Sequence, residues 1–208
     1  MIGVALWNSG CATQVKTSVT SFHQLTLSGD GKTFKFVPNA VQKDSIEYQS
    51  YAQRIAQKLI AYGWRPSDNT QKADCEVSFN YGIDNGTVVS GSMPVYGQVG
   101  GGTAYTSGTV MSGSGGVASY SGTTYSAPVY AQTGTRAYSV TVYNRYLTLE
   151  IVSANAEGKP ARLYEGRAVS KGRTSEIAQV LPTMIEALFK RFPGNSGKTD
   201  EIQLPLVE

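Results

Sequence analysis

The chain has 208 residues, of which 16% are charged, and its net charge is +3. This length is sufficient for one domain with a substantial core. Its lysines and arginines are scattered and form no run that could follow a phosphate backbone, which argues against nucleic acid as a partner. After Trp7 no apolar stretch approaches the roughly 18 residues that a membrane-spanning helix needs.

The first residues predict an export signal and a lipid anchor. The apolar run 1–7 precedes Asn8-Ser9-Gly10-Cys11, which resembles the lipobox of bacterial lipoproteins, although Asn8 stands where that pattern has an aliphatic residue. The resemblance implies that residues 1–10 end a signal peptide and that Cys11 carries the lipid. Ala12, in place of an aspartate, favours the outer membrane. The alternative is a buried first strand with Cys11 as a core thiol.

Two strands are predicted next. Polar and apolar residues alternate loosely over Thr13–Leu25, and Phe34 and Phe36 share one face of Lys32–Val37. The turn residues Ser28–Gly31 separate the two runs. Their order predicts a β-hairpin.

A helix and a further strand follow. Apolar residues recur every three or four positions over residues 46–62, with Asp44 and Glu47 as a capping box and Gly63 as the C-terminal cap. Ala73–Ile83 alternates strictly. This alternation predicts that Cys75 is a core thiol and that Asp74 and Glu76 lie on a solvated face.

The composition changes in the insertion at about residues 91–135, which is rich in Gly, Ser and Tyr. Such a segment predicts a mobile loop or a loosely paired β-ribbon. Tyrosine, serine and glycine are also typical of binding loops. The candidate binding residues are therefore Tyr96, Tyr105, Tyr120, Tyr125 and Tyr130. A low-complexity spacer is one alternative, and self-assembly of the ribbon edge to edge is another.

The C-terminal part predicts a second hairpin, from residues 136–153 and 161–169, and a last helix beginning at Thr174 or Ser175. Pro182 lies inside the helical pattern and should kink the helix or shift its start. The tail to Glu208 could add an edge strand. These elements predict a single α+β domain over residues 11–208, with an antiparallel or mixed sheet and two helices packed on one face.

Five short stretches together carry a family resemblance: Lys32–Phe36, Ala73-Asp74, Tyr146–Glu150, Leu163–Gly166 and Ala187–Gly194. They resemble domain-of-unknown-function family 4136, a family of bacterial envelope lipoproteins with a small α+β domain. The resemblance covers most of residues 13–208 outside the insertion. It implies the fold and an envelope location, and it brings no catalytic residues with it.

The motifs that suggest chemistry are weak. Gly194–Thr199 resembles the end of a phosphate-binding loop, but Phe192 occupies the position of the first glycine, so no nucleotide is expected. His23 is the only histidine, which excludes a cluster of histidine ligands. The acidic residues are scattered. No catalytic residue, metal or cofactor is predicted.

These observations predict a non-catalytic binding or structural module, anchored by lipid to the bacterial outer membrane and facing the periplasm. The membrane would be reached through Cys11, and the other partner would be an envelope protein or a cell-wall component. The alternative is a periplasmic hydrolase with carboxylates that the sequence does not identify. Carboxylates grouped around His23 in one pocket would favour the hydrolase.

Overall fold

The computed structural model describes residues 13–25, 31–68, 73–154 and 161–207. These residues form two compact units, one of residues 88–140, which we call the ribbon, and one from the rest of the chain, which we call the body. The body is α+β, as predicted. Its helices are α1 (Ile46–Tyr62) and α2 (Leu181–Phe189), preceded by a 3-10 turn at Ile177–Gln179.

Across the described ranges, eight strands form one sheet. They are β1 (Gln14–His23), β2 (Thr33–Phe36), β3 (Arg65–Pro66), β4 (Cys75–Ile83), β5 (Thr87–Met111), β6 (Val117–Ser153), β7 (Arg162–Gly172) and β8 (Thr199–Pro205). The order is β3-β2-β4-β6-β7-β1-β8, and β5 pairs with β6. The tail therefore adds an edge strand, and β6 and β7 form the predicted second hairpin, with Leu149 opposite Gly166.

The predicted hairpin of the first two strands is wrong. β1 lies between β7 and β8, where Thr17 is opposite both Ser170 and Ile202. β2 instead runs parallel to β4, with Phe34 opposite Cys75. A parallel pair needs a crossover connection, and α1 provides it. The amphipathic helix thus determines the partner of β2, and the turn before β2 does not.

The core lies on one face of the sheet, beneath the two helices. Alternate residues of β4 and β6 are fully buried, and α1 packs on β4 through Tyr48, whose ring stacks on Phe79 with centroids 4.4 Å apart. At the other side of the body, Tyr164 of β7 contacts Phe192, just beyond α2. Cys75 is buried within this core, as predicted.

The observed helix ends differ in two places from those that the sequence predicts. Ser45, and not Asp44, caps α1, because its hydroxyl accepts a hydrogen bond from the Tyr48 backbone N–H at 3.1 Å. Gly63 ends the helix with a left-handed φ of 112°. In the last helix Pro182 shifts the start to Leu181, since proline fits the first turn. No helix in the described residues is long and apolar enough to cross a membrane.

Candidate binding surface on the ribbon

The Gly/Ser/Tyr-rich insertion is an ordered β-ribbon. Strands β5 and β6 are joined by a tight turn in which the Ser112 N–H donates to the Gly116 carbonyl at 2.7 Å. The strand β5 alone has 25 residues, which at about 3.3 Å per residue corresponds to roughly 80 Å. Of the two conformations predicted for this segment, the structure shows the ribbon.

Two glycines in the ribbon are covered by tyrosine side chains from the opposite strand. The Tyr120 ring lies over Gly108 so closely that a Cβ there would be 2.6 Å from the tyrosine hydroxyl, and Tyr138 covers Gly91 in the same way. A large aromatic side chain over a glycine compensates for the packing that the glycine lacks. At these two positions glycine and tyrosine therefore form a cross-strand pair, which gives this part of the composition a structural reason.

Midway along the ribbon the backbone is irregular at Gly101 and Gly102, with φ values of 78° and 101°. A Cβ at Gly101 would lie 2.1 Å from the Ala127 carbonyl oxygen, so only glycine fits this approach. Left-handed glycines in a strand are typical of a bulge, which bends and twists the pair.

The five tyrosines predicted as binding residues all lie in the ribbon and are all exposed. Their exposed fractions are 67% for Tyr96, 70% for Tyr105, 54% for Tyr120, 71% for Tyr125 and 68% for Tyr130. Exposed valines and methionines lie between them, including Val99, Val110 and Met111. Arg136 is the only charged residue from position 88 to position 140. The ribbon thus carries a single charge, and its exposed tyrosines, valines and methionines lie among glycines, serines and threonines.

The ribbon also presents backbone hydrogen-bonding groups. In the part of the chain that the structure describes, β5 has β6 as its sheet partner, and the pairing of β6 with β4 and β7 is confined to Tyr143–Ser153. The outer edge of each ribbon strand therefore faces solvent. Such an edge is a template for another strand.

Within the body, a carboxylate links the two chain segments that precede and follow the ribbon in sequence. Asp84, just after β4, accepts hydrogen bonds from the backbone N–H of Asn144 at 2.9 Å and of Gly86 at 3.0 Å, and from the Asn144 side-chain amide at 2.6 Å. The bonds from Asn144, backbone first, lower the pKa of Asp84. This clamp joins the outgoing and returning chains.

His23 lies in a shallow depression of the body with Tyr164, Glu165 and Ser196. Its Nε2 is 3.1 Å from the Gly194 carbonyl oxygen, and its backbone N–H donates to the Ser196 hydroxyl. Among the described residues that line this depression, Glu165 is the one carboxylate, and it pairs with Arg162. The described residues contain no group of three or more His, Cys, Asp or Glu side chains that could hold a metal ion.

Other predicted positions have structural contacts. The Asp74 carboxylate accepts hydrogen bonds from the Thr33 N–H and hydroxyl, both at 2.8 Å, and so links β2 to β4. Glu76 pairs with Lys35 at 3.0 Å. After Gly194 the chain turns into β8 and not into a helix, so the phosphate-loop geometry is not formed. Cys11 lies outside the described residues.

Two polar features were not found from the sequence. A groove of about 670 Å³ is lined by Tyr51 and Arg54 of α1 and by Gln179 and Leu206. Beside it the Tyr51 hydroxyl donates to Glu47 at 3.0 Å, a contact that the i, i+4 spacing on α1 could have indicated. Burial, followed by this hydrogen bond, raises the pKa of Tyr51.

The second feature is a buried cation. Arg145 on the core side of β6 is 4% exposed, and its described hydrogen-bond partner is Ser170, 3.4 Å from its guanidinium. Burial lowers the pKa of Arg145. Thr17, opposite Ser170 on the neighbouring strand, is also buried, with no hydrogen-bond partner for its hydroxyl in the described structure. A polar row therefore crosses the sheet.

Comparison with known proteins places this architecture in a family. The family model described as "Domain of unknown function (DUF4136)" matches residues 18–194, which is most of the chain and includes the ribbon. The chain belongs to the DUF4136 family. This confirms the family that the sequence motifs indicated.

Other comparisons add little about this DUF4136 chain. No curated protein matches it. Among solved structures it is similar to a PDZ domain protein from Parabacteroides distasonis ATCC 8503, with 11% identity and a TM-score of 0.47. That match covers 92% of this chain, and the chain spans 39% of the other protein.

Proposed function

We propose that this DUF4136 chain is a non-catalytic, lipid-anchored protein of the bacterial outer membrane that faces the periplasm and binds another envelope component through its ribbon. The observation that carries the proposal is the ribbon surface, which has exposed tyrosines, a single charge and two open edges. Large exposed apolar patches are typical of interaction sites.

The chemistry of the ribbon favours binding over a passive spacer. Tyrosine supplies a large contact area at a low cost in side-chain entropy, and serine and glycine allow close approach. A flexible spacer needs no cross-strand order, whereas here Tyr120 and Tyr138 pack over Gly108 and Gly91. Order of this kind holds the other tyrosines in defined positions. A binding surface gains affinity from such preorganisation.

The body supports a non-catalytic role. The hydrolase alternative requires carboxylates grouped around His23, and the described contacts of the His23 ring are with the Gly194 carbonyl and the Tyr164 ring. Its candidate acidic neighbour, Glu165, is paired with Arg162. The contacts of His23 therefore hold the loop before β8 in place, which is a structural role.

The anchor is tested by the intact mass of the protein from membranes of its native host. A chain that begins at Cys11 and carries acyl chains is expected, and Cys11→Ser should release the protein from the membrane fraction. A chain that retains residues 1–10 without lipid would contradict the anchor.

The binding role is tested by removing the ribbon. A Cβ at Gly86 would lie 2.7 Å from the Thr141 methyl group, so a two-residue Asn-Gly turn can join Thr87 to Thr141. With Cys11→Ser in both proteins, the full chain should co-sediment with outer-membrane vesicles of the native host at nanomolar concentration, and the shortened chain should not. Equal retention of the two proteins would refute the ribbon as the binding surface.

A further inference from the structure

We propose that the ribbons of separate copies pair edge to edge, with β5 of one copy antiparallel to β6 of the next, so that the partner of the ribbon is another copy of this chain. The inference rests on the proposed function, because it names the occupant of the binding surface. It starts from the two open edges of the ribbon. Each carries a row of backbone N–H and C=O groups that another strand could satisfy.

The edges of the body are protected, whereas those of the ribbon are not. β8 carries Asp200 and Glu201, and β3 at the opposite edge has only two residues, one of them Arg65. Charge and shortness are the usual defences of an edge strand. In the ribbon the defences are Pro94, Pro128, Arg136 and the bulge at Gly101 and Gly102.

All of these features lie outside the distal part of the ribbon, residues 103–111 and 117–126. These two segments contain neither a charge nor a proline. Two uncharged edges of nine and ten residues thus face solvent without a residue that would oppose pairing. We therefore place the contact between copies within these two segments.

The partner must be an extended strand without charge. A charged partner strand would find no counter-charge in the distal segments, and the distal segment of another copy meets the requirement. The surface also has room for such a contact, because no atom lies within 4 Å of the Cβ position of Gly122 and Tyr105 on the other strand is 70% exposed.

The two edges also determine the symmetry. Pairing β5 of one copy with β6 of the next is antiparallel when both ribbons point the same way. Such a contact joins different surfaces and leaves an open edge at each end. It therefore continues into a closed ring or a fibre and does not stop at a dimer.

The test is sedimentation velocity of the full chain carrying Cys11→Ser, from 1 to 100 µM. We expect species larger than a dimer to form as the concentration rises. The double variant Ser107→Lys/Ser121→Lys places charges on both distal edges and should need at least a tenfold higher concentration to associate. The matched control Gln49→Lys/Gln57→Lys adds the same charge on the exposed face of α1 and should behave like the parent.

Each other result overturns the inference. A monomer at every concentration, association that the ribbon charges do not weaken, or equal loss in the α1 control would each show that the ribbon edges do not pair. The envelope co-sedimentation described above uses nanomolar protein, where the copies are separate. If the full chain remains a monomer in sedimentation velocity while the ribbon is still necessary for retention by the envelope fraction, the proposed function stands and only the identity of the partner is wrong.

Discussion

At the scale of single residues, the burial of a neighbouring tyrosine determines whether a glycine can be replaced by alanine. A Cβ at Gly166 would lie 2.5 Å from the Tyr164 hydroxyl oxygen, and a Cβ at Gly82 would lie 2.6 Å from that of Tyr146. The two clashes are alike, but Tyr164 is 1% exposed and Tyr146 is 41% exposed. Only Tyr146 can swing into solvent.

Gly166→Ala should therefore lower the free energy of unfolding by about 1–3 kcal/mol, the usual cost of overpacking. Gly82→Ala should change it by less than about 1 kcal/mol, because its tyrosine can move and alanine reduces the entropy of the unfolded chain. Urea unfolding followed by the fluorescence of Trp64, which is buried in the body, measures both. Equal losses in the two variants would contradict this explanation.

The buried guanidinium of Arg145 leads to a second prediction at this scale. A desolvated cation without a carboxylate is unfavourable, and an apolar side chain of similar length often replaces such a group at no loss. We expect Arg145→Met to match or exceed the parent in its urea midpoint. Arg145→Ala, which also removes the packing of the side chain, should fall below it. A loss above about 2 kcal/mol in Arg145→Met would show that the charge stabilises the fold.

At the scale of elements, the N-terminal cap of α1 differs between the sequence prediction and the structure. The spacing of Asp44 and Glu47 predicts a capping box, yet Ser45 accepts the Tyr48 N–H and Glu47 accepts the Tyr51 hydroxyl. Ser45→Ala should cost about 1 kcal/mol of stability. Asp44→Ala should cost less than about 0.5 kcal/mol, because Asp44 is exposed and precedes the cap. Thermal unfolding of the two variants checks this ranking, and the reverse order would restore Asp44 as the cap.

The Asp84 clamp predicts a dependence on pH. The hydrogen bonds from Asn144 lower its pKa from the ordinary value of 3.8. A carboxylate with a lowered pKa stabilises the folded state above its unfolded pKa, and this contribution disappears as the pH falls through the folded pKa. The stability difference between the parent and Asp84→Asn should therefore be full at pH 7 and shrink below pH 4. Urea midpoints measured from pH 7 to pH 2 test this, and a constant difference would contradict it.

How far the sequence predicts these elements depends on the range of the interactions. The periodicity of α1 and β4 is local, and both elements were predicted within a few residues. The pairing of β1 with β7 and β8 joins positions more than 140 residues apart, and no turn signal encodes it. The order of the ribbon depends on tyrosines placed across from glycines, a pattern that appears only when the strands are aligned. The candidate tyrosines followed from composition alone, whereas their open edges required the sheet topology.

At the scale of the whole molecule, the two units should differ in their dependence on one another. The body contains the entire cluster of buried apolar residues, from Val15 to Ile202. The ribbon has no buried residue, and an isolated two-stranded ribbon is marginally stable at best in water.

Replacing residues 88–140 with an Asn-Gly turn should therefore leave the free energy of unfolding of the body within about 1 kcal/mol of the parent, since no core contact is removed. A shorter connection also costs less entropy to close, so any change should favour the shortened chain. Urea unfolding followed by Trp64 fluorescence measures this at low micromolar concentration, with the full chain carrying the same Cys11→Ser change as the control. A loss of several kcal/mol would mean that the ribbon stabilises the body, and the ribbon would then have a structural role besides binding.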